Sequence, residues 1–189
     1  MTITKAREAN AVSDECKRDL TVREATPKDM SVVFEILSEA RALLKNEGIA
    51  QWTEDYPSVR DLQTDLGHGC LFVVCKEERT IAAAQILVAG DPHYREIDGA
   101  WRGRGAHIAM HRVTVAASSR RSGAATALLR YAESLGRAYG ALSLRMDTHP
   151  DNLRMQRFFE KNGFSFCGRI KEPITGKEHV AYDKLLFAK

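Results

Sequence analysis

Hydrophobic residues recur along the chain with two alternating periods, and the switches between them lay out a mixed α/β order. Leu20–Arg23 is short and alternating, a strand. Thr26-Pro27-Lys28-Asp29 places a cap candidate before a first-turn proline, and the helix it opens carries Val33, Ile36, Leu37, Ala40 and Leu44 on one face until Asn46-Glu47-Gly48. An irregular aromatic stretch, Ile49–Ser58, leads to a short helix over Val59–Leu66. Leu71–Lys76 and Thr80–Val88 read as two strands of a meander around the turn Glu77-Glu78-Arg79.

Gly90–Gly105 reads as loop. Strand character returns over His107–Val115, and Ala124–Tyr139 carries Ala127, Leu128, Tyr131, Leu135 and Ala138 at helical spacing up to Gly140. Leu142–Asp147 is a further strand. Strand, helix and strand in that order make a crossover whose two strands lie parallel. Pro150-Asp151-Asn152 opens a helix over Leu153–Lys161, closed by Asn162-Gly163, and strands over Phe164–Ile170 and Val180–Phe187 complete the chain. Residues 1–19 are polar and without hydrophobic period, an expected disordered tail ahead of one domain over residues 20–189.

Composition narrows the function classes. The 189 residues suffice for one full core, and 28 Lys and Arg against 25 Asp and Glu leave a net charge of +3, too small to imply nucleic-acid binding. Cys16, Cys70, Cys75 and Cys167 are scattered with no paired spacing and no histidine at zinc distance, so neither a disulfide framework nor a metal site is expected. With no signal-peptide core and no apolar run of spanning length, the expected setting is cytoplasmic, away from membranes.

The chemistry concentrates after residue 110. Arg120-Arg121-Ser122-Gly123-Ala124-Ala125 joins the strand ending at Val115 to the helix beginning at Ala124. Unpaired N–H groups and the positive end of the helix dipole sit at such a junction, Gly123 permits close backbone approach, and the arginines add charge: a cradle for phosphate. An ordinary loop with two solvated arginines is the plain alternative. A second basic glycine stretch, Arg102-Gly103-Arg104-Gly105, has no helix after it and reads as a flexible loop.

Taken with Asn152 and with Phe158-Phe159-Glu160-Lys161-Asn162-Gly163-Phe164, this stretch resembles the GNAT superfamily of acyl-CoA-dependent N-acetyltransferases, and Gln51-Trp52 with Asp55-Tyr56-Pro57 resembles its small bacterial members. Arg120–Ala125 matches the family's pyrophosphate loop, Asn152 its cofactor-site asparagine, and Phe159–Phe164 the close of its following helix. The resemblance implies one α/β domain with a mostly antiparallel sheet, a splayed parallel strand pair and flanking helices. It implies acetyl-CoA held by Val113, Val115, Arg120, Arg121, Ser122, Gly123, Ala124, Ala125, Asn152 and Phe159, with the Val115 N–H facing the thioester carbonyl. Transfer is then direct attack by an amine in a ternary complex, with no metal, and the family commonly forms dimers. Where many members carry a tyrosine that protonates the leaving thiolate, this chain has Phe159, which donates no proton.

Candidate bases are His111 and Asp147 on the two splayed strands and His149 just beyond the second. Aromatic and acidic residues in the irregular segments, Trp52, Asp55, Tyr56, Tyr94 and Trp101, are candidates for recognising the ammonium of a small-molecule amine. Two other functions stay open: acetylation of protein N-termini or lysines, and an acyl-CoA sensor without turnover.

Overall fold

Strands covered on both faces need no polar positions, and this explains the apolar run at the centre of the sequence. In the computed structural model, which describes residues 20–187, that run is an inner strand. Eight strands form one sheet: β1 (Leu20–Glu24), β2 (Leu71–Lys76), β3 (Arg79–Leu87), β4 (Asp98–Gly99), β5 (His107–Val115), β6 (Ser143–Thr148), β7 (Ser165–Lys171) and β8 (Glu178–Leu185). Their spatial order is β1-β2-β3-β5-β6-β8-β7-β4, with β5 and β6 parallel and the remaining pairs antiparallel. Four helices flank the sheet: α1 (Met30–Asn46), α2 (Val59–Gly67), α3 (Ala124–Ala138) and α4 (Leu153–Lys161).

The strand period sorts side chains between two cores. Leu71, Val73 and Cys75 of β2 pack with Val33 and Leu37 of α1 and Leu62 of α2. Phe72 and Val74 point the other way, joining Leu128, Leu129 and Ala132 of α3, and Ile108, Met110, Leu144 and Met146 of β5 and β6. Cys70, Cys75 and Cys167 are free and buried, while Cys16 and the expected tail over 1–19 lie outside the described residues. Among the described residues no helix is long and apolar enough to cross a membrane, and no group of side chains could hold a metal ion.

Two expectations for Gly90–Gly105 differ from the structure. The stretch contains a 3-10 turn at Pro92–Arg95 and the two-residue strand β4, which pairs with β7 through Asp98–Arg169 and Gly99–Gly168. A Cβ at Gly99 would lie 2.2 Å from the Cys167 carbonyl oxygen, so only glycine permits this approach. Nor is Arg102–Gly105 a free loop. The buried carboxylate of Asp183 accepts hydrogen bonds from the N–H groups of Arg102 (2.8 Å) and Gly103 (2.9 Å), and Arg145 donates to the Gly103 carbonyl at 2.8 Å. Those contacts come from β6 and β8, more than forty residues away along the chain, where no local pattern records them.

Asp29 fastens the start of α1 to the sheet edge. Its carboxylate accepts from both Arg23 guanidinium nitrogens (2.8 Å each), from the Thr26 N–H and hydroxyl (2.8 Å each) and from the Thr80 hydroxyl (2.8 Å). The Arg23 hydrogen bonds, helped by the Thr26 and Thr80 donors, outweigh burial and hold the Asp29 carboxyl well below the usual carboxylate range. Asp29→Asn is therefore expected to cost about 1–3 kcal/mol at neutral pH by chemical denaturation. Because the folded-state pKa is lowered, the wild-type advantage is complete above the unfolded value near pH 4 and is lost as pH falls toward the folded value. The gap between variant and wild type should close on acidification.

Candidate active site

A parallel pair that parts company leaves unpaired backbone, and β5 and β6 do so early. They are in register only from His107–Ser143 to Ala109–Arg145. Beyond that point β5 bulges: Ala83 faces Thr114 and Gln85 faces His111, so Arg112 and Val113 together oppose Ala84. Arg112 takes a left-handed conformation (φ 53°), and its guanidinium lies 2.9 Å from Asp65 and over the Tyr56 ring. Meanwhile β6 continues in full register with β8. The strands splay, and the wedge between them opens into a cavity of about 1260 Å³.

One end of the cavity is the start of α3. Gly123 caps the helix with φ 89°, the Ser122 hydroxyl accepts from the Ala124 N–H at 3.3 Å, and no acidic residue occupies its first turn. The first-turn N–H groups have no carbonyl four residues back. Arg120, Arg121, Gly123, Ala124 and Ala125 line the cavity here, and neither arginine pairs with a carboxylate among the described residues. Open N–H groups, a positive dipole end and two uncommitted cations suit a diphosphate.

The middle of the cavity runs between Val113–Val115 and the start of α4. Asn152 caps α4, its Oδ1 accepting from the Met155 N–H at 3.1 Å while its Nδ2 donates to Gln51 Oε1 at 2.9 Å. The same Gln51 oxygen accepts from the Thr148 hydroxyl at 3.0 Å. Gln51 therefore binds the irregular segment after α1 to the β6–α4 corner. A cavity wall of open strand backbone suits an extended amide-bearing arm.

The far end is a buried network of acids and histidines. Asp147, on β6, accepts from the Tyr94 hydroxyl at 2.5 Å and from His179 Nδ1 at 2.6 Å, and its Oδ1 lies 3.6 Å from His111 Nδ1. His111 Nε2 in turn lies 3.0 Å from Asp91, which also meets His93 Nδ1 at 2.8 Å. Burial alone would raise the Asp147 carboxyl, but the His179 hydrogen bond, the nearby histidines and the Tyr94 hydroxyl outweigh it and hold the acid below its ordinary value. Asp91 follows the same balance, with burial opposed chiefly by His111, and sits well below the carboxylate range. Both acids are thus anions at neutral pH. Burial together with the Asp147 charge pushes Tyr94 well above its usual value, so its hydroxyl keeps its proton and donates. Tyr56, on the cavity wall, is pushed up to about 12, mainly by burial and in spite of Arg112.

The residues singled out in the sequence separate into two groups. Val113, Val115, Arg120, Arg121, Gly123, Ala124, Ala125 and Asn152 all line the cavity, as do His111, Asp147, Trp52, Tyr56 and Tyr94. Ser122 does not; its hydroxyl turns back to the Ala124 N–H at 3.3 Å. Phe159 is fully buried against Phe164 and Tyr182, and it is the neighbouring Phe158 that faces the cavity. His149 stands behind His179, ring to ring at 6.0 Å, its Nδ1 accepting from the Asp151 N–H. Asp55 is exposed on the outer surface of its segment. Trp101 packs behind Tyr94, donates to the Tyr94 carbonyl at 2.8 Å and covers the Arg145 guanidinium at 4.3 Å.

His179 and Asp91 escaped the sequence reading. His179 precedes the apolar run of the last strand, and only the antiparallel register of β6 with β8 sets it beside Asp147. Asp91 carried a detectable local sign, an acid directly before Pro92 at the head of a short turn, whose N–H at His93 it caps at 2.9 Å.

The sequence matches the Acetyltransferase (GNAT) family over residues 34–164. No curated protein matches it. Among solved structures, a GNAT family acetyltransferase from Streptococcus agalactiae 2603 aligns at 27% identity over 90% of this chain and 96% of its own, with a TM-score of 0.78. A putative acetyltransferase from Staphylococcus aureus MU50 shares 25% identity over 88% and 99%, with a TM-score of 0.65. A putative acetyltransferase from Salmonella typhimurium, solved with acetyl-CoA, shares the fold at 14% identity over 90% and 96%, with a TM-score of 0.63. With its family match, its splayed strands and its basic helix start, the chain belongs to the GNAT family of acetyltransferases, enzymes whose acetyl donor is acetyl-CoA.

Proposed function

We propose that this enzyme acetylates a small-molecule amine that enters at the Asp147 end of the cavity. The observation that carries this reading is the excess of negative charge there. Asp91, Asp147 and Glu172 line that end beside the aromatic faces of Trp52 and Tyr56; of the cations near them, Arg112 is paired with Asp65 and Lys177 donates to the Ala50 carbonyl. A protonated amine is attracted to such a site; one unit charge about 4 Å from another gains roughly 4 kcal/mol at an effective dielectric constant near 20. The site is also roofed. Gln51, Trp52 and Tyr56 cover it from one side and Glu172, Pro173 and Ile174 from the other, and Lys177 Nζ joins the two by donating to the Ala50 carbonyl at 2.7 Å. A partly covered entrance favours a small acceptor over a protein chain.

In this reading the donor supplies an activated acetyl thioester, and the chain binds and orients it. The first-turn N–H groups of α3 with Arg120 and Arg121 hold the diphosphate. Backbone groups of Val113 and Val115 pair with the amide-bearing arm, and the Val115 N–H polarises the thioester carbonyl. Asn152, fixed by Gln51 and Met155, forms the opposite wall. The acceptor attacks directly in a ternary complex, so proximity and orientation carry much of the rate. Phe159 offers no proton to the departing sulfur, and no role is assigned to it beyond packing.

Acetyl-CoA is expected to raise the melting temperature of the wild type, and Gly123→Asp to abolish the rise by setting a carboxylate at the helix start. Gly123→Asn, which tolerates the left-handed backbone without adding charge, should keep part of it; an undiminished rise in Gly123→Asp would remove the diphosphate from α3. For the acceptor, free-thiol release should be measured with spermidine, lysine, kanamycin and an alanine-terminated peptide. Release is expected with one or more of the small amines. Release with the peptide alone would overturn the small-molecule reading, and silence throughout would overturn turnover itself.

A further inference from the structure

Four histidines stand at the acceptor end, and their hydrogen bonds leave them with different chemistry. His111 has a carboxylate near each ring nitrogen, Asp147 at 3.6 Å and Asp91 at 3.0 Å, but makes a hydrogen bond of good geometry to neither, so its tautomer is not fixed. His149 spends its Nδ1 lone pair on the Asp151 N–H at 3.2 Å. His93 is half exposed and paired with Asp91. His179 differs from His111, whose Nε2 is likewise buried without a partner, in the short hydrogen bond that fixes its tautomer. Its Nδ1 is 2.6 Å from Asp147 Oδ2, and an ionised carboxylate only accepts, so Nδ1 carries the hydrogen. The lone pair is left on Nε2. That nitrogen is buried, has no hydrogen-bond partner, and belongs to a residue 3% exposed that lines the cavity. An unsatisfied buried acceptor is costly unless something arrives to use it.

We propose that His179 is the general base of the reaction, its Nε2 taking the proton from the acceptor ammonium, with Asp147 and Tyr94 as positioning residues that fix its tautomer. The inference rests on the amine-acceptor reading above. Nε2 removes one proton from the ammonium, leaving the nitrogen a lone pair. The nitrogen forms the new N–C bond while the C–S bond breaks with its electron pair on sulfur. A second proton shed by the nitrogen balances the thiol, and the proton on Nε2 returns to solvent. Asp147 does for His179 what a buried acid does in a catalytic triad: it orients the ring and stabilises the imidazolium without taking the proton. The ionisable groups around His179 are Asp147 on β6, His149 just past it, His111 on β5 across Asp147, Tyr94 from the 3-10 turn, and Glu172 after β7.

The test uses the full chain. In ¹⁵N-histidine NMR, the neutral His179 ring is expected as the Nδ1–H tautomer with an unprotonated Nε2, and Asp147→Asn should lose that preference; an Nε2–H tautomer in the wild type would overturn the assignment. With acetyl-CoA and concentrated spermidine as the probe amine, His179→Asn, whose amide can still donate to Asp147, is expected to lower kcat/KM about 10²–10⁴-fold. The wild-type profile should level off with rising pH once the base is free, whereas His179→Asn should keep rising as the amine itself deprotonates. A variant profile parallel to the wild type, or loss of the levelling in His111→Asn and not in His179→Asn, would overturn the proposal. The acetyl-CoA-dependent rise in melting temperature checks that His179→Asn is folded; if it is not, the wild-type tautomer alone decides. Failure of the wild type to acetylate any amine would instead defeat the acceptor reading, leaving the tautomer to be judged separately.

Discussion

The parting of β5 from β6 after Ala109 is the constraint on which the rest of the molecule depends. Two neighbouring parallel strands ordinarily exhaust each other's hydrogen-bonding groups. Here the bulge at Arg112 and Val113 turns β5 away, while β6 stays locked to β8 along its whole length. An inner strand thus carries open backbone in a protected place, a site for an extended ligand that no side chain has to build. The bulge is held from both sides, since the left-handed Arg112 reaches Asp65 of α2 and lies over Tyr56. Removing either contact would loosen the wedge as well as the local turn.

The two ends of the wedge work by opposite electrostatics. At the α3 end the backbone itself is the cation, assisted by Arg120 and Arg121, and it asks little of tertiary structure beyond a strand running into a helix. At the Asp147 end the charge is negative and buried, and it persists only because neighbours compensate it: Tyr94 and His179 donate to Asp147, and His111 stands between Asp147 and Asp91. Buried anions without such partners would protonate. The partners arrive from a 3-10 turn, β5 and β8, so the integrity of this end depends on the whole sheet being in register.

That difference explains what could be read in advance. The helix start at Ala124 is a local object, and its glycine, its alanines and its arginines lie in six consecutive residues. The order of elements is likewise local, because period 2 and period 3.6 are properties of short windows; the 3-10 turns at Pro92–Arg95 and Ala117–Ser119, the two-residue β4 and the tether of Arg102–Gly103 to Asp183 fell outside it. Trp101 was placed near a ligand by chemical character and Phe159 by the family resemblance, yet both are enclosed, Phe159 by Phe164 and Tyr182, Trp101 by Tyr94 and Arg145. An aromatic side chain reads the same in sequence whether it lines a pocket or supports one.

By itself the sequence determined the mixed α/β order, the parallel crossover, the glycine turn into the helix at Ala124 and, through its resemblance, the acetyl-CoA chemistry. Only the tertiary structure decided which acids and histidines meet. Asp147 and His179 are 32 residues apart and are joined at 2.6 Å by the register of β6 with β8. Tyr94 reaches the same carboxylate across 53 residues. Periodicity fixes the face on which a residue stands, whereas register and burial fix its neighbours, and a proton's position is set by neighbours.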